Sequence, residues 1–308
     1  VVAVDDATKS VLAVGEEARA MIGRTPQGIK ATRPLRDGVI ADFKYARLML
    51  EKFIERVCGK TGGFMKPNIA IGVPSGVTGV ERRAVRDAAY NAGAGQCYLP
   101  EEPMAAAIGA SLPVTEPTGS MIVDIGGGTT EVAVISLCGI VVNESIRVAG
   151  DELNESIIHY MKKVHSLACG ERTAEEIKFR LGSAYKTQDN DKYDVRGLNL
   201  INGLPRTVTI SRGEVREALA EPLSAIVEAI KRTLERTPPE LAADIYNRGI
   251  VLSGGGALLQ GLDELISNET EVPVFIAEDP LSCVALGTGK MLTEPSYRRV
   301  LEQSLYEA

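Results

Sequence analysis

An apolar run, Met121-Ile122-Val123, leads into Asp124 and Ile125, then three glycines, Gly126, Gly127 and Gly128, then Thr129, Thr130 and Glu131. A strand that buries both faces excludes a bare carboxylate unless that group has a partner at the strand's end. Three glycines free the backbone to turn tightly and bring bare N–H groups up to an anion. The threonine hydroxyls add donors. An aspartate beside such a cradle normally serves Mg²⁺ through water, because Mg²⁺ keeps most of its hydration. The segment therefore predicts a strand, a phosphate-binding turn and a second strand, with Asp124 as the metal group. A plain glycine hairpin leaves the aspartate unexplained.

Around this segment, strand and helix signals alternate, which predicts an α/β fold. Strands are expected at Val1–Val4, Val11–Val14, Ile69–Val73, Gln96–Leu99, Met121–Ile125, Glu131–Ser136, Ile140–Ser145 and Ile250–Leu252. A hairpin is expected from Tyr193–Leu200 and Arg206–Ile210. Capping boxes at Thr78-x-x-Glu81, Thr173-x-x-Glu176 and Ser211-x-x-Glu214 predict three helix starts. Tyr45–Val57 and Ala257–Ile266 carry helical periodicity, and Leu153, Ile157, Met161 and Val164 mark the inner face of another helix. Pro222 is expected to kink the helix that Ser211 starts.

Composition narrows the function. The 308 residues carry a net charge of −7, no Trp and 5% aromatic residues. A nucleic-acid binder needs a basic face and stacking platforms, so nucleic acid is not an expected partner. The five cysteines are widely spaced with no C-x-x-C, which excludes a disulfide frame or zinc site and suits a reducing cytosol. The two histidines, His159 and His165, sit six apart on one predicted helix and make no metal site or triad. No stretch reaches the ~18 apolar residues of a membrane span. The chain opens on Val1-Val2-Ala3-Val4, without a Met or a signal peptide, and reads as starting mid-protein.

Four further features could carry chemistry. Ser253-Gly254-Gly255-Gly256 lies between a strand and a helix, as a tight turn or as a second ligand wall. Pro103 suits the first helical position, which makes Glu102 the N-cap. There the helix dipole would hold its carboxylate ionised, either as a simple cap or aimed to orient a water. Glu175 and Lys178 stand at i,i+3 spacing, either as a surface ion pair or as a clamp on a ribose and an adenine edge. Phe64 and Met65, in Gly62-Gly63-Phe64-Met65-Lys66-Pro67, either tuck into the core or form an apolar tip that wets a bilayer. Gly59-Lys60-Thr61 fails as a P-loop, because the upstream glycine that motif needs falls on Ile54, and no G-x-G-x-x-G occurs.

The segment from Asp124, the run from Glu102 and the glycine loop from Ser253 resemble the phosphate, connecting and adenosine motifs of the actin-like ATPases. That superfamily holds actin, DnaK-type chaperones, hexokinase-like sugar kinases and FtsA. Arg33–Asp42, Ile71–Arg83, Val148–Glu152 and Arg236–Leu241 resemble more narrowly the MreB family of bacterial cell-shape proteins, and the likeness spans the chain. It implies a bilobed ATPase of two ribonuclease-H-like lobes with inserted subdomains. Lobe I would be residues 1–116 plus 285–308, with an insert at about 4–36 and a membrane loop at 62–67. Lobe II would be 117–284, with an insert at about 153–216. It implies ATP and Mg²⁺ as cofactors, Asp124 on the metal, and Glu102 on the attacking water. Gly126 to Thr130 would meet the phosphates, Gly150 and Asp151 would be nucleotide-binding, Glu175 and Lys178 would meet the ribose and adenine, and Gly254 to Gly256 the nucleoside. Phe64 and Met65 would be the membrane tip.

The implied protein is a slow ATPase that polymerises on the inner membrane face, meets cell-wall elongation proteins there and organises wall synthesis. A sugar or acid kinase and a chaperone-type ATPase are the alternatives within the same fold. The family's first phosphate loop is expected on a hairpin ahead of Val1. Its absence from the chain implies a gap in a sheet near Val123 or Ile71.

Overall fold

The computed structural model describes residues 1–36, 38–59, 66–186 and 191–306. Phe64 and Met65, expected as a membrane tip, lie outside these residues. The chain forms two compact units, Val1–Glu101 with Met291–Ala308, and Glu102–Lys290.

The first unit opens with β1 (Val2–Asp5), β2 (Val11–Val14), α1 (Glu16–Met21) and β3 (Ile29–Thr32). β1 pairs antiparallel with β2 and β3 on its two sides. Val2, Ala3 and Val4 are therefore fully buried. Two short strands, β4 (Leu35–Arg36) and β5 (Val39–Ile40), lead to α2 (Phe43–Cys58). Asp42 caps α2 by accepting from the Tyr45 N–H at 3.2 Å, so the helix starts two residues before Tyr45. Tyr45 and Met49 pack on Val2, Val4 and Val14.

A second small core forms where β6 (Asn68–Ala70) runs parallel to β7 (Gln96–Tyr98), with α3 (Gly79–Asn91) between them. The expected strand Ile69–Val73 is shorter, but its backbone continues the ladder: Ile71 and Val73 donate to the carbonyls of Tyr98 and Pro100. The Thr78–Glu81 capping box is formed, and Gly93, at φ 106°, ends the turn that follows α3. Buried Arg82 donates to the Leu99 carbonyl at 3.2 Å.

The second unit begins with α4 (Glu102–Gly109), then the meander β8 (Ser120–Ile125), β9 (Thr130–Ser136) and β10 (Gly139–Ile146). Next come α5 (Gly150–His165), β11 (Leu167–Ala168), α6 (Glu171–Leu181), β12 (Lys192–Asn199) and β13 (Pro205–Ser211). They are followed by α7 (Arg212–Glu235), α8 (Pro239–Arg248), β14 (Ile250–Ser253), α9 (Leu262–Thr270), β15 (Val274–Ile276) and α10 (Cys283–Thr293). α11 (Arg298–Tyr306) returns to the first unit.

The main sheet has the order β10-β9-β8-β14-β15, with β14 parallel to both its neighbours. Every residue of β8 is buried, as a central strand requires. No gap lies at Val123, which pairs with Val132 on one side and Leu252 on the other. Both neighbours come from the chain itself, so that expectation fails there. At the other expected place, β6 pairs among the described residues with β7 alone.

The core of this unit is closed by Leu153, Ile157 and Met161 of α5 and by Val215, Leu219, Leu223, Ile226 and Ile230 of α7. The Ser211–Glu214 box starts α7, and the helix continues through buried Pro222. Three expectations need correction. Thr173 caps nothing: α6 starts earlier, from Gly170, so the Thr173-x-x-Glu176 spacing lies inside the helix. Val164 is exposed, because it lies beyond the packed part of α5. Ala257–Ile266 is not one helix. Gly255–Leu258 is a 3₁₀ turn, and Gly261, at φ 72°, interrupts the chain before α9. Among the described residues no helix is long and apolar enough to cross a membrane.

Candidate functional site

The site grows from one register. β8 and β14 run parallel with Asp124 opposite Ser253. The Ser253 hydroxyl donates to Asp124 Oδ1 at 2.8 Å, and both side chains are buried. Each strand then runs into its glycine turn, so the two turns leave the carboxyl ends of adjacent parallel strands. Open α/β sheets hold ligands at that edge.

The packing between the turns requires glycine. A Cβ on Gly254, whose φ is +79°, would lie 2.3 Å from the Ile125 carbonyl oxygen and 2.9 Å from Asp124 Oδ1. A Cβ on Gly256 would lie 2.2 Å from Ile125 Cγ2. Gly255 is less constrained, with Leu281 at 3.2 Å.

The first turn is closed by the Gly126 N–H donating to the Thr129 carbonyl at 2.9 Å. Its outer carbonyls do a second job. α5 has no side-chain cap at Ala149, and its leading N–H groups need acceptors. Gly150 and Asp151 donate to the carbonyls of Gly126 and Gly127 at 3.1 and 2.7 Å. A Cβ on Gly150 would press on the Gly126 oxygen at 3.2 Å. Lys178 of α6 donates to the Gly150 carbonyl at 2.8 Å, which ties α6 to the same junction. Glu175 lies on α6 three residues before it.

The structure thus gathers Gly126, Gly127, Gly150, Asp151 and Lys178 around one junction. Gly127 is exposed at the tip of the turn, Gly126 and Gly128 are half-buried and Thr129 is buried. Thr130 lies deeper: it is fully buried and its hydroxyl donates to the Val148 carbonyl at 2.7 Å.

Glu102 stands at the start of α4 as its first helical residue rather than as an N-cap. The expectation that the helix dipole keeps it ionised is overturned. Burial raises its pKa to about 8, helped by the charges of Asp124 and then Glu131. Desolvation outweighs the fractional charge of a helix end when other carboxylates lie nearby. Asp124 is itself pushed up by burial, against the hydrogen bond from Ser253. Glu131, opposite Asp124 on β9, is buried and accepts from the Ser145 hydroxyl at 2.5 Å.

This raised value fixes a pH dependence. Below the ordinary value of 4.5 both folded and unfolded chains hold the Glu102 proton. Between 4.5 and about 8 only the folded chain holds it, so stability falls as pH rises. Above that, the full penalty is present. Glu102→Gln should therefore match the parent's melting temperature near pH ~4.5 and exceed it near pH ~9 in nucleotide-free protein. Equal melting temperatures at both ends would show that Glu102 is not buried as described.

α4 is held by a seam of small residues. A Cβ on Gly287 would fall 1.8 Å from the Ala105 carbonyl oxygen, and one on Gly109 would fall 1.8 Å from that of Cys283. The α4 and α10 backbones meet there directly, which fixes where α4 presents Glu102. Sequence reading singled out neither glycine. It also gave no role to Ser253 or Glu131, although both stand inside the two glycine motifs.

A mixed five-stranded sheet with paired glycine turns at its carboxyl edge, an aspartate between them and a carboxylate-bearing helix defines an actin-like protein. A sequence profile of the MreB/Mbl protein family matches residues 1–299. The chain belongs to that family. It is 51% identical over 292 residues to the cell shape-determining protein Mbl of Bacillus subtilis, covering 95% of this chain and 87% of that one. It is 55% identical over 286 residues to the cell shape-determining protein MreB of Escherichia coli, covering 92% and 82%. The crystal structure of MreB5 of Spiroplasma citri bound to ADP superposes with a TM-score of 0.89 at 37% identity, covering 97% of this chain and 89% of that one. MreB5 bound to AMPPNP gives 0.87 at 36%, covering 98% and 90%.

Proposed function

We propose that the protein is a slow ATPase that forms actin-like filaments on the inner membrane face and, with cell-wall elongation proteins, organises wall synthesis to set cell shape. The observation that carries the nucleotide part is the Asp124–Ser253 register, which lays the two glycine turns side by side. The ADP and AMPPNP bound by MreB5 support the ligand class. The cell-shape role is supported by the names of relatives at 51% and 55% identity.

The residues fit Mg-ATP. Gly254 and Gly256 leave no Cβ between the turns, and exposed Gly127 lets a phosphate approach the backbone. Glu102, Asp124 and Glu131 are desolvated carboxyls that a cation would relieve. Among the described residues no set of three His, Cys, Asp or Glu side chains is arranged to hold a metal by itself. In this reading Asp124 would act on Mg²⁺ through water. Bound Mg²⁺ supplies charge neutralisation at the phosphate oxygens.

In this reading Gly126 to Thr129, Gly150 and Asp151 shape the phosphate side, with Thr130 fixing the turn from beneath. Gly254 to Gly256 face the nucleoside. Glu175 and Lys178 meet the ribose and adenine, with Lys178 positioned by its bond to Gly150. Glu102 orients the attacking water. Hydrolysis then times filament turnover. Phe64 and Met65 supply a membrane contact, weak alone and strengthened by many copies in a filament.

The test is Asp124→Ala. Mg-ATP affinity, measured by calorimetry, should fall at least about tenfold, with little change for nucleotide without Mg²⁺. Undiminished Mg-ATP affinity would remove Asp124 from the metal.

A further inference from the structure

The buried face of α5 carries a polar side chain that the site described above does not use. Leu153, Ile157 and Met161 form the apolar stripe of the helix, and Asn154 stands among them at 1% exposure. Neither Nδ2 nor Oδ1 of Asn154 has a hydrogen-bond partner among the described residues. A buried amide in that state lowers stability, and each such group in a folded chain calls for a physical reason.

Helix geometry says which neighbour this amide faces. Successive residues turn by about 100°, so Asn154 stands about 40° round from Gly150, and Tyr160 about 80° round on the opposite side. The Tyr160 hydroxyl donates to Glu217, so that side of α5 faces α7. Asn154 therefore stands on the other side of the stripe, where α6 packs on α5. Lys178 of α6 arrives there, donating to the Gly150 carbonyl at 2.8 Å. In an α-helix that same carbonyl is the acceptor for the Asn154 N–H. The Lys178 ammonium thus ends beside the residue whose side-chain oxygen is unclaimed.

We propose that Asn154 is a positioning residue for the nucleoside end of the ligand: its Oδ1 accepts a hydrogen bond from the Lys178 ammonium when nucleotide binds, and so fixes where that cation points. An ammonium has three donors on a flexible four-carbon stem, and held at one point it can sweep a wide arc. Held by the Gly150 carbonyl and the Asn154 amide together, it presents its third N–H in one direction, toward the ligand. A small change of side-chain torsion in Lys178 makes the second bond, and it also satisfies the Asn154 oxygen. Asn154 itself touches no nucleotide. The inference rests on the reading of Lys178 under the proposed function and adds the group that aims it.

Calorimetry of Mg-ATP binding tests this on the parent, Asn154→Leu, Asn154→Asp, Lys178→Met and the Asn154→Leu, Lys178→Met double variant. Asn154→Leu should bind about tenfold more weakly, the worth of a hydrogen bond to a charged group. Its nucleotide-free melting temperature should equal or exceed the parent's, because leucine removes the unpartnered amide. Added to Lys178→Met, the same change should weaken binding by less than about twofold, since the cation it acts through is gone. Asn154→Asp keeps an acceptor for the ammonium and should stay within about threefold of the parent. Parent-like affinity of Asn154→Leu overturns the inference. So does an undiminished loss in the Lys178→Met background, or a loss in Asn154→Asp as large as in Asn154→Leu. A nucleotide-free Asn154→Leu that melts well below the parent shows the amide to be a structural group, and the inference falls. Parent-like binding by Lys178→Met is a different failure: it removes the reading of Lys178 itself, and this inference with it.

Discussion

Glu102→Ala should slow ATP hydrolysis by roughly 10²–10⁴-fold, the range for removing a positioned general base. Mg-ATP affinity should change by less than about twofold, because the interaction lost belongs to the transition state. The argument is geometric and electrostatic. Glu102 begins α4, near enough to Asp124 for that charge to raise its pKa, and is held at about 8 in the nucleotide-free protein. A group with that proton affinity is mostly protonated near neutral pH and can accept a proton only once it has lost its own, so the rate should rise with pH toward about 8. Glu102→Gln distinguishes orientation from proton acceptance. If Glu102 only orients water, the amide oxygen restores part of the rate; if it takes the proton, glutamine is as slow as alanine. Single-turnover phosphate release with Mg-ATP reads both variants, and parent-like release by Glu102→Ala would overturn the role.

The largest stability effect should come from Gly287→Ala, with Gly109→Ala close behind. Each added methyl carbon would fall 1.8 Å from a backbone carbonyl oxygen, where ordinary contact begins at 3.4 Å. No rotamer change relieves it, because the obstacle is backbone, so α4 and α10 must part by well over an ångström. Overpacking of this kind costs about 3 kcal/mol or more. Urea denaturation should show a lower midpoint with an unchanged slope. A loss below about 1 kcal/mol would mean that the helices do not meet backbone to backbone. Moving α4 also moves Glu102, so the protein that remains folded should hydrolyse ATP more slowly.

The sequence carried its local signals faithfully where they were complete. The boxes at Thr78 and Ser211 start helices because both halves of each reciprocal cap form. The box at Thr173 has the same spacing but stands within a turn that Gly170 already begins. Asp124 stands out in its apolar strand, since only a partnered carboxylate survives there. Its partner Ser253 is 129 residues away, and no local pattern joins them. The protonation of Glu102 was misread for a related reason. The helix dipole can be read from neighbouring residues, whereas burial and the charges of Asp124 and Glu131 depend on the tertiary fold. The seam at Gly109 and Gly287 was equally hidden, because a glycine inside a helix looks like a defect until the second backbone is set against it.

The position of β14 has a consequence for how the protein is made. β10, β9 and β8 are consecutive in the chain, but the other edge of β8 is covered by residues 250–253. A ribosome adding roughly 5–20 residues per second leaves that edge uncovered for roughly 10 s. During that interval the growing chain presents a largely apolar strand with unpaired backbone groups, an opening for any neighbouring nascent chain. Asp124 meets Ser253 only when this edge closes. The candidate site and the covered edge of β8 therefore form in the same folding event.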